Sequence, residues 1–219
     1  MSLATLSGPR LEPETGTARQ LVVLLHGIGA DGADLIDLGA HWRDLLPDAL
    51  FVAPNAPEPA AGAPYGFQWF ALGPDRQESR MAGLPVVRTV VIDYLQSLWL
   101  ETGLSAKDTL LVGFSQGAMT ALHVGLSLEE PLMGIIAFSG ALVPPEGFAQ
   151  VRWPKVPVCL VHGDADAVVS VDYTRQAAQL LKDEGYEVSM HISPGVGHGI
   201  DPDGMAFASA FIAAASATL

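Results

Sequence analysis

Cysteine is almost absent. The 219 residues contain one, Cys159, so no disulfide can form within the chain. A lone thiol in the apolar run Pro157–Val161 reads as a buried core side chain, and the missing disulfide framework fits a reducing compartment. Basic residues are scarce as well: 11 Lys and Arg face 24 Asp and Glu, a formal net charge of −13. Phosphate recognition depends on neutralisation by Lys and Arg. The balance therefore excludes nucleic acid as a partner, together with electrostatic docking to an anionic membrane. No apolar run approaches the roughly 18–20 residues needed to span a bilayer. Met1–Arg10 has neither a basic n-region nor an apolar h-region. The expectation is a cytoplasmic protein with no membrane insertion. Also missing are H-E-x-x-H, clustered carboxylates at ligand spacing and a dinucleotide fingerprint, so neither metal nor cofactor is expected. No internal repeat, low-complexity tract or linker interrupts the chain.

What is abundant is apolar material, 49% of residues with a mean hydropathy of +0.32. That fills one substantial core, and residues 1–219 read as a single domain. The same figures are slightly high for a lone monomer and leave a self-association face, hence a homodimer, open.

Short runs rich in Val, Ile and Leu alternate with segments of helical spacing. Strands are predicted at Gln20–Leu25, Leu50–Ala53, Thr109–Val112, Gly134–Phe138, Val158–Val161 and Glu187–Ile192. Their near-continuous hydrophobicity suits strands covered on both faces. Helical stripes run through Leu35, Leu38, Trp42 and Leu45, through Val87, Val91, Tyr94 and Leu98, and through Tyr173, Ala177 and Leu180. A last stripe joins Met205, Ala208, Ile212 and Ala215, with Asp201-Pro202 as N-cap and first helical residue. The alternation predicts an α/β fold with a mostly parallel sheet. Leu3–Leu11 is read as an added antiparallel edge strand. Ala56–Leu84 breaks the alternation: it is rich in Pro, Gly and Ala but holds Tyr65, Phe67, Trp69 and Phe70, and reads as an ordered excursion near a site.

Gly113-Phe114-Ser115-Gln116-Gly117 matches G-x-S-x-G directly after a predicted strand and before a helix running to about Leu128. In that context the pattern marks a nucleophile elbow, a tight turn that lifts a serine hydroxyl above the sheet. A serine hydroxyl needs a base. Among six histidines, His26 and His162 end strands and read as structural, packing near the site. His123 shares the one polar stripe of its helix with Thr120 and Ser127 and is expected to face solvent. His41 and His191 lie inside a helix and a strand pattern. His198 stands apart, in the glycine-rich loop Gly195–Gly199 between the last strand and last helix, and is taken as the base. The loop after the strand ending at His162 offers two carboxylates to orient it, Asp164 and Asp166. Asp164, next to the strand, suits loop bracing; Asp166 is favoured, with Asp164 still open. Backbone donors for an oxyanion are expected at Gln116 and in His26–Gly32. The order Ser, Asp, His is that of the α/β-hydrolases.

Taken together, LLHGIGADG, FVAPNAP, Trp69-Phe70, GFSQGAM, HGDADAVVS and GVGHGID resemble the phospholipase/carboxylesterase family, small α/β-hydrolases that include acyl-protein thioesterases. The likeness runs from about Leu21 to the end. It implies a mostly parallel sheet flanked by helices on both faces without a large cap domain. It implies Ser115, Asp166 and His198 as the catalytic triad and the N–H groups of Ile28 and Gln116 as the oxyanion hole. It further implies an acyl pocket walled partly by Trp69 and Phe70, and a tendency to dimerise. Ala167 and Ser170 depart from frequent prolines, and Ala118 from a glycine usual in the thioesterase branch, which weakens any claim of protein delipidation.

The function expected is hydrolysis of carboxylic esters of apolar acyl chains through an acyl-enzyme. Thioester hydrolysis on proteins or carriers is the alternative. A non-catalytic binding module would be expected to carry a damaged triad position, and none is damaged.

Overall fold

The computed structural model describes residues 6–151 and 153–217. In chain order these form β1 (Arg10–Leu11), β2 (Gln20–Leu25), α1 (Gly32–Trp42), β3 (Ala49–Val52), β4 (Glu58–Pro59), β5 (Phe67–Gln68) and α2 (Arg76–Thr102). Then follow β6 (Thr109–Phe114), α3 (Gln116–Gly125), β7 (Gly134–Phe138), β8 (Val158–Gly163), α4 (Val171–Asp183), β9 (Val188–Ser193) and α5 (Pro202–Ser216). Seven strands make one sheet in the order β1-β3-β2-β6-β7-β8-β9. All its pairings are parallel except β1 on β3, where Arg10 lies opposite Val52. The predicted edge strand is thus real but short, and residues 3–5 of it lie outside the described residues.

The central strands β2, β3, β6, β7 and β8 are buried along almost their whole length, because helices cover both faces. On one face Leu35 and Trp42 of α1 and Ala208 and Ile212 of α5 pack on Val22, Leu24, Val112 and Val161. The Trp42 indole N–H donates to Ser209 Oγ and ties those two helices together. The other face carries α2, α3 and α4 over Leu21, Val23, Leu25, Leu111 and Leu160. Cys159 sits in the first of these layers, and burial pushes its thiol up to about 12, so it is an inert core group. Among the described residues no helix is long and apolar enough to cross a membrane.

Three expectations are corrected. The stripe Tyr173, Ala177, Leu180 is not the buried face of α4: Tyr173 and Leu180 are exposed, and Thr174, Ala177, Ala178 and Leu181 face the core. Leu45 falls beyond the end of α1 and is exposed. His123 does not face solvent. α3 lies between the sheet and α2, and all ten of its residues are buried. Its polar groups are satisfied in place: Thr120 Oγ1 donates to the Gln116 carbonyl, and Ser127 Oγ donates to the Val124 carbonyl while accepting from Arg88 Nε. His123 Nδ1 donates to the Val143 carbonyl.

Burial lowers the His123 pKa below its ordinary value, and does the same to His26. The unfolded chain therefore takes up protons that these folded imidazoles refuse. Stability present above about pH 6.5 is lost as the pH falls toward the depressed folded values. His123→Asn, which keeps a donor toward Val143, is expected to be less stable at neutral pH yet to decline less steeply between pH 7 and pH 5. Urea unfolding across that range checks it; curves parallel to wild type would contradict the assignment.

Candidate active site

Three loops at the C-terminal ends of β2, β6 and β8, and a fourth after β9, meet over the sheet. The turn after β6 is the most constrained. Ser115 has φ +55° and ψ −115°, a region that side chains avoid, so the turn stores strain to aim the hydroxyl. Glycines on either side are required by contact: a Cβ on Gly113 would collide with the Gly117 carbonyl, and one on Gly117 with the Leu25 carbonyl of β2. Ser115 N–H is held by the Phe138 carbonyl at 2.9 Å.

His198 Nε2 lies 2.9 Å from Ser115 Oγ, and His198 Nδ1 lies 2.7 Å from Asp166 Oδ2. The carboxylate can only accept, so Nδ1 donates and Nε2 is left to receive the serine proton. Phe114 flanks the imidazole with ring centroids 5.0 Å apart.

The Asp166 side chain is fully enclosed. Its Oδ1 accepts from the N–H groups of Val168 and Val169 at 2.8 and 2.9 Å. Oδ2 is shared between His198 and His162 Nε2, the latter at 3.2 Å. Burial pushes the carboxyl pKa up, but the hydrogen bonds from His198, Val169 and Val168 outweigh it and hold the group below its ordinary range. Asp164, the other candidate, points elsewhere. Its Oδ1 accepts from Gly195 N at 2.6 Å and braces the loop that carries His198.

Ile28 and Gln116 border the same cavity as Ser115, and among the described residues no protein acceptor takes either N–H. The loop bearing Ile28 is pinned by the excursion after β3. Gly29 N–H donates to the Phe67 carbonyl at 2.9 Å and Phe67 N–H donates to the Ala30 carbonyl at 2.8 Å. The Trp69 indole N–H donates to the His26 carbonyl, and Ala56 N–H donates to His26 Nε2. Gln116 completes the frame from below: its side chain accepts from Trp69 N–H and donates to the Phe70 carbonyl.

Phe70 therefore lines the cavity, whereas Trp69, 2% exposed, stands behind it as a buttress. The cavity measures about 140 Å³ and is completed by Leu72, Arg76, Arg80, Met119, Val168 and Val169. None of those six was read from sequence. For Arg76 and Arg80 a signal existed, because Asp75 and Glu78 have the spacing of a helix start. Asp75 indeed caps α2, accepting from Gln77 and Glu78 N–H, so the second half of the excursion is helix.

A family model described as phospholipase/carboxylesterase matches residues 7–216. The chain belongs to that family. Hydrolysis of carboxylic esters is the chemistry this membership supports, on an α/β-hydrolase fold. Esterase YpfH of Escherichia coli is 31% identical over 192 residues, 87% of this chain and 81% of the relative. Acyl-protein thioesterase 1 of Neurospora crassa is 31% identical over 208 residues, covering 87% and 84%. The crystal structure of esterase PE8 is 51% identical, with a TM-score of 0.92 over 95% of this chain and 98% of that one.

Gly66 tests the pinned loop. It has φ +88°, and a Cβ there would strike the Gly29 carbonyl beside Ile28. Gly66→Ala should displace the Ile28 N–H and lower kcat on a simple ester by roughly 10–100-fold, less than the loss of a whole oxyanion donor at its upper end. KM should change much less. An unchanged kcat in a folded variant would show that the excursion does not set the loop.

Proposed function

We propose that this protein is a serine carboxylesterase acting through an acyl-enzyme, with Ser115 as nucleophile, His198 as base and Asp166 as its orienting carboxylate. The observation that carries the reading is the unbroken run of hydrogen bonds Ser115 Oγ–His198 Nε2 (2.9 Å) and His198 Nδ1–Asp166 Oδ2 (2.7 Å) beside two unpartnered N–H groups. Ser115 Oγ attacks the ester carbonyl as His198 takes its proton. The carbonyl oxygen becomes an oxyanion, which the N–H groups of Ile28 and Gln116 stabilise. Collapse expels the alcohol, protonated by His198. Water, deprotonated by the same imidazole, then attacks the acyl-enzyme and frees the acid and Ser115.

The low Asp166 pKa supports its part. A carboxylate that stays ionised stabilises the imidazolium formed at each step. Cavity size supports short acyl groups: about 140 Å³ lies below the roughly 300–1,000 Å³ of pockets that enclose drug-sized ligands. A thioester would use the same groups, and a relative bears the name acyl-protein thioesterase 1. Matched oxygen and sulfur esters of one short acid separate the two by their kcat/KM ratio.

Ser115→Ala should lower kcat on p-nitrophenyl butyrate by roughly 10⁴–10⁶-fold with little change in unfolding temperature. A folded variant that retained wild-type turnover would remove Ser115 from the reaction. Wild type should prefer acetate and butyrate to octanoate in kcat/KM, and Phe70→Ala, by opening the wall, should raise octanoate relative to butyrate. A ranking unmoved by that substitution would take Phe70 out of chain-length selection.

A further inference from the structure

The cavity beside Ser115 has an uncompensated cation in its wall. Arg80 is 9% exposed, yet among the described residues it makes no ion pair and no hydrogen bond, and its Nε is buried without a partner. Its one close polar neighbour is the face of Tyr173, 4.9 Å from the guanidinium carbon to the ring centroid. In a chain with 24 acidic and 11 basic side chains, an enclosed arginine without a carboxylate is not a consequence of composition. Enclosing a charge is unfavourable unless something pairs with it. A guanidinium offers five N–H donors in a planar fork that fits carboxylate and phosphate, and Arg80 lines the same cavity as Ser115. Arg76 borders it too, one turn earlier on α2. Apart from Ser115 and Gln116 the rest of the wall is apolar: Ile28, Phe70, Leu72, Met119, Val168 and Val169.

We propose that the site selects esters carrying a second, anionic group a few atoms from the scissile carbonyl, held by Arg80 with support from Arg76. The short apolar stretch between carbonyl and anion lies along Phe70, Leu72 and Met119, and the cavity volume of about 140 Å³ limits it to a few carbons. Hydrolysis of such a substrate adds water across the ester bond, giving the alcohol and a dianionic acid when the anion is on the acyl side. This rests on the esterase reading above and narrows its substrate.

The test pairs charged esters with neutral near-isosteres. Monomethyl glutarate is compared with methyl 4-carbamoylbutanoate, placing the anion on the acyl side. Acetyl esters of hydroxyethyl phosphate and of ethylene glycol place it on the alcohol side. In wild type, one charged member should exceed its neutral partner in kcat/KM by roughly tenfold or more, and that pair identifies the side. Arg80→Met should bring the ratio to about one, with Arg80→Lys in between. Binding of glutarate or of hydroxyethyl phosphate to wild type by calorimetry, weakened in Arg80→Met, reads the anion site without turnover. Ratios near one for both pairs in wild type, with no anion binding, would overturn the proposal while neutral-ester turnover left the esterase reading standing. Anion binding without turnover of any ester would do the reverse.

Discussion

Everything in the site depends on how closely the β6–α3 turn approaches β2. Gly117 sits against the carbonyl of Leu25, and Gly113 against the carbonyl of Gly117, with no room for a Cβ at either position. That approach brings Gln116 at the start of α3 and Ile28 in the loop after β2 to the lining of one small cavity. It also forces Ser115 to a positive φ, a local cost met by the burial around it: β6 is enclosed and α3 is buried on every side. The strained backbone sits between a buried strand and a buried helix, so it cannot relax without unpacking the centre of the sheet.

The excursion between β3 and α2 is fastened to this turn rather than laid over it. Gln116 is the hinge of the arrangement, since its backbone faces the cavity while its side chain grips Trp69 and Phe70 from beneath. Trp69 in turn holds the His26 carbonyl, and Phe67 exchanges hydrogen bonds with Gly29 and Ala30. Asn55 adds a further tie, its side-chain oxygen accepting from Gly32 N–H at the head of α1. Asn55, the Phe67–Phe70 segment and, through it, Gln116 thus fix the loop from His26 to Gly32. Such a frame would preorganise the oxyanion donors proposed above before substrate arrives, and fixed donors have the larger electrostatic effect.

How much of this could be read from the chain follows from the range of each interaction. The strands were legible because burial on both faces leaves continuous Val, Ile and Leu runs, and G-x-S-x-G was legible because its constraint is local. The choice of Asp166 over Asp164 was legible only as a preference that the family resemblance strengthened, because it depends on a turn and a loop 32 residues apart meeting in space. Helix faces misled where apolarity and burial part company. In α4 the core contact is made by Leu181 with Thr174 and two alanines, while Tyr173 faces outward toward Arg80. In α3 a polar stripe was equated with exposure, although Thr120, His123 and Ser127 each find a buried partner. Trp69 and Phe70 are neighbours that face opposite ways, and no periodicity says which of them meets the cavity.

The two aspartates after β8 show how one short loop divides its work. Asp164 accepts from Gly195 N–H, so it sets the height of the glycine-rich loop; Asp166 accepts from His198 at its end, so it sets the imidazole's rotation. His162 binds the two halves. The Val169 carbonyl can only accept, so His162 Nε2 carries a hydrogen, and that hydrogen also faces Asp166 Oδ2 while Nδ1 meets Thr174 Oγ1 of α4. With both Val168 and Val169 N–H groups on Oδ1, four donors surround one carboxylate. A carboxylate so surrounded is held from swinging toward solvent, so in the acyl-transfer cycle proposed above the hydrogen bond at Nδ1 would keep its geometry through both halves. The cost of enclosing that charge is offset by His198 Nδ1 together with the backbone of Val168 and Val169, and the other nitrogen of His198 is turned to Ser115.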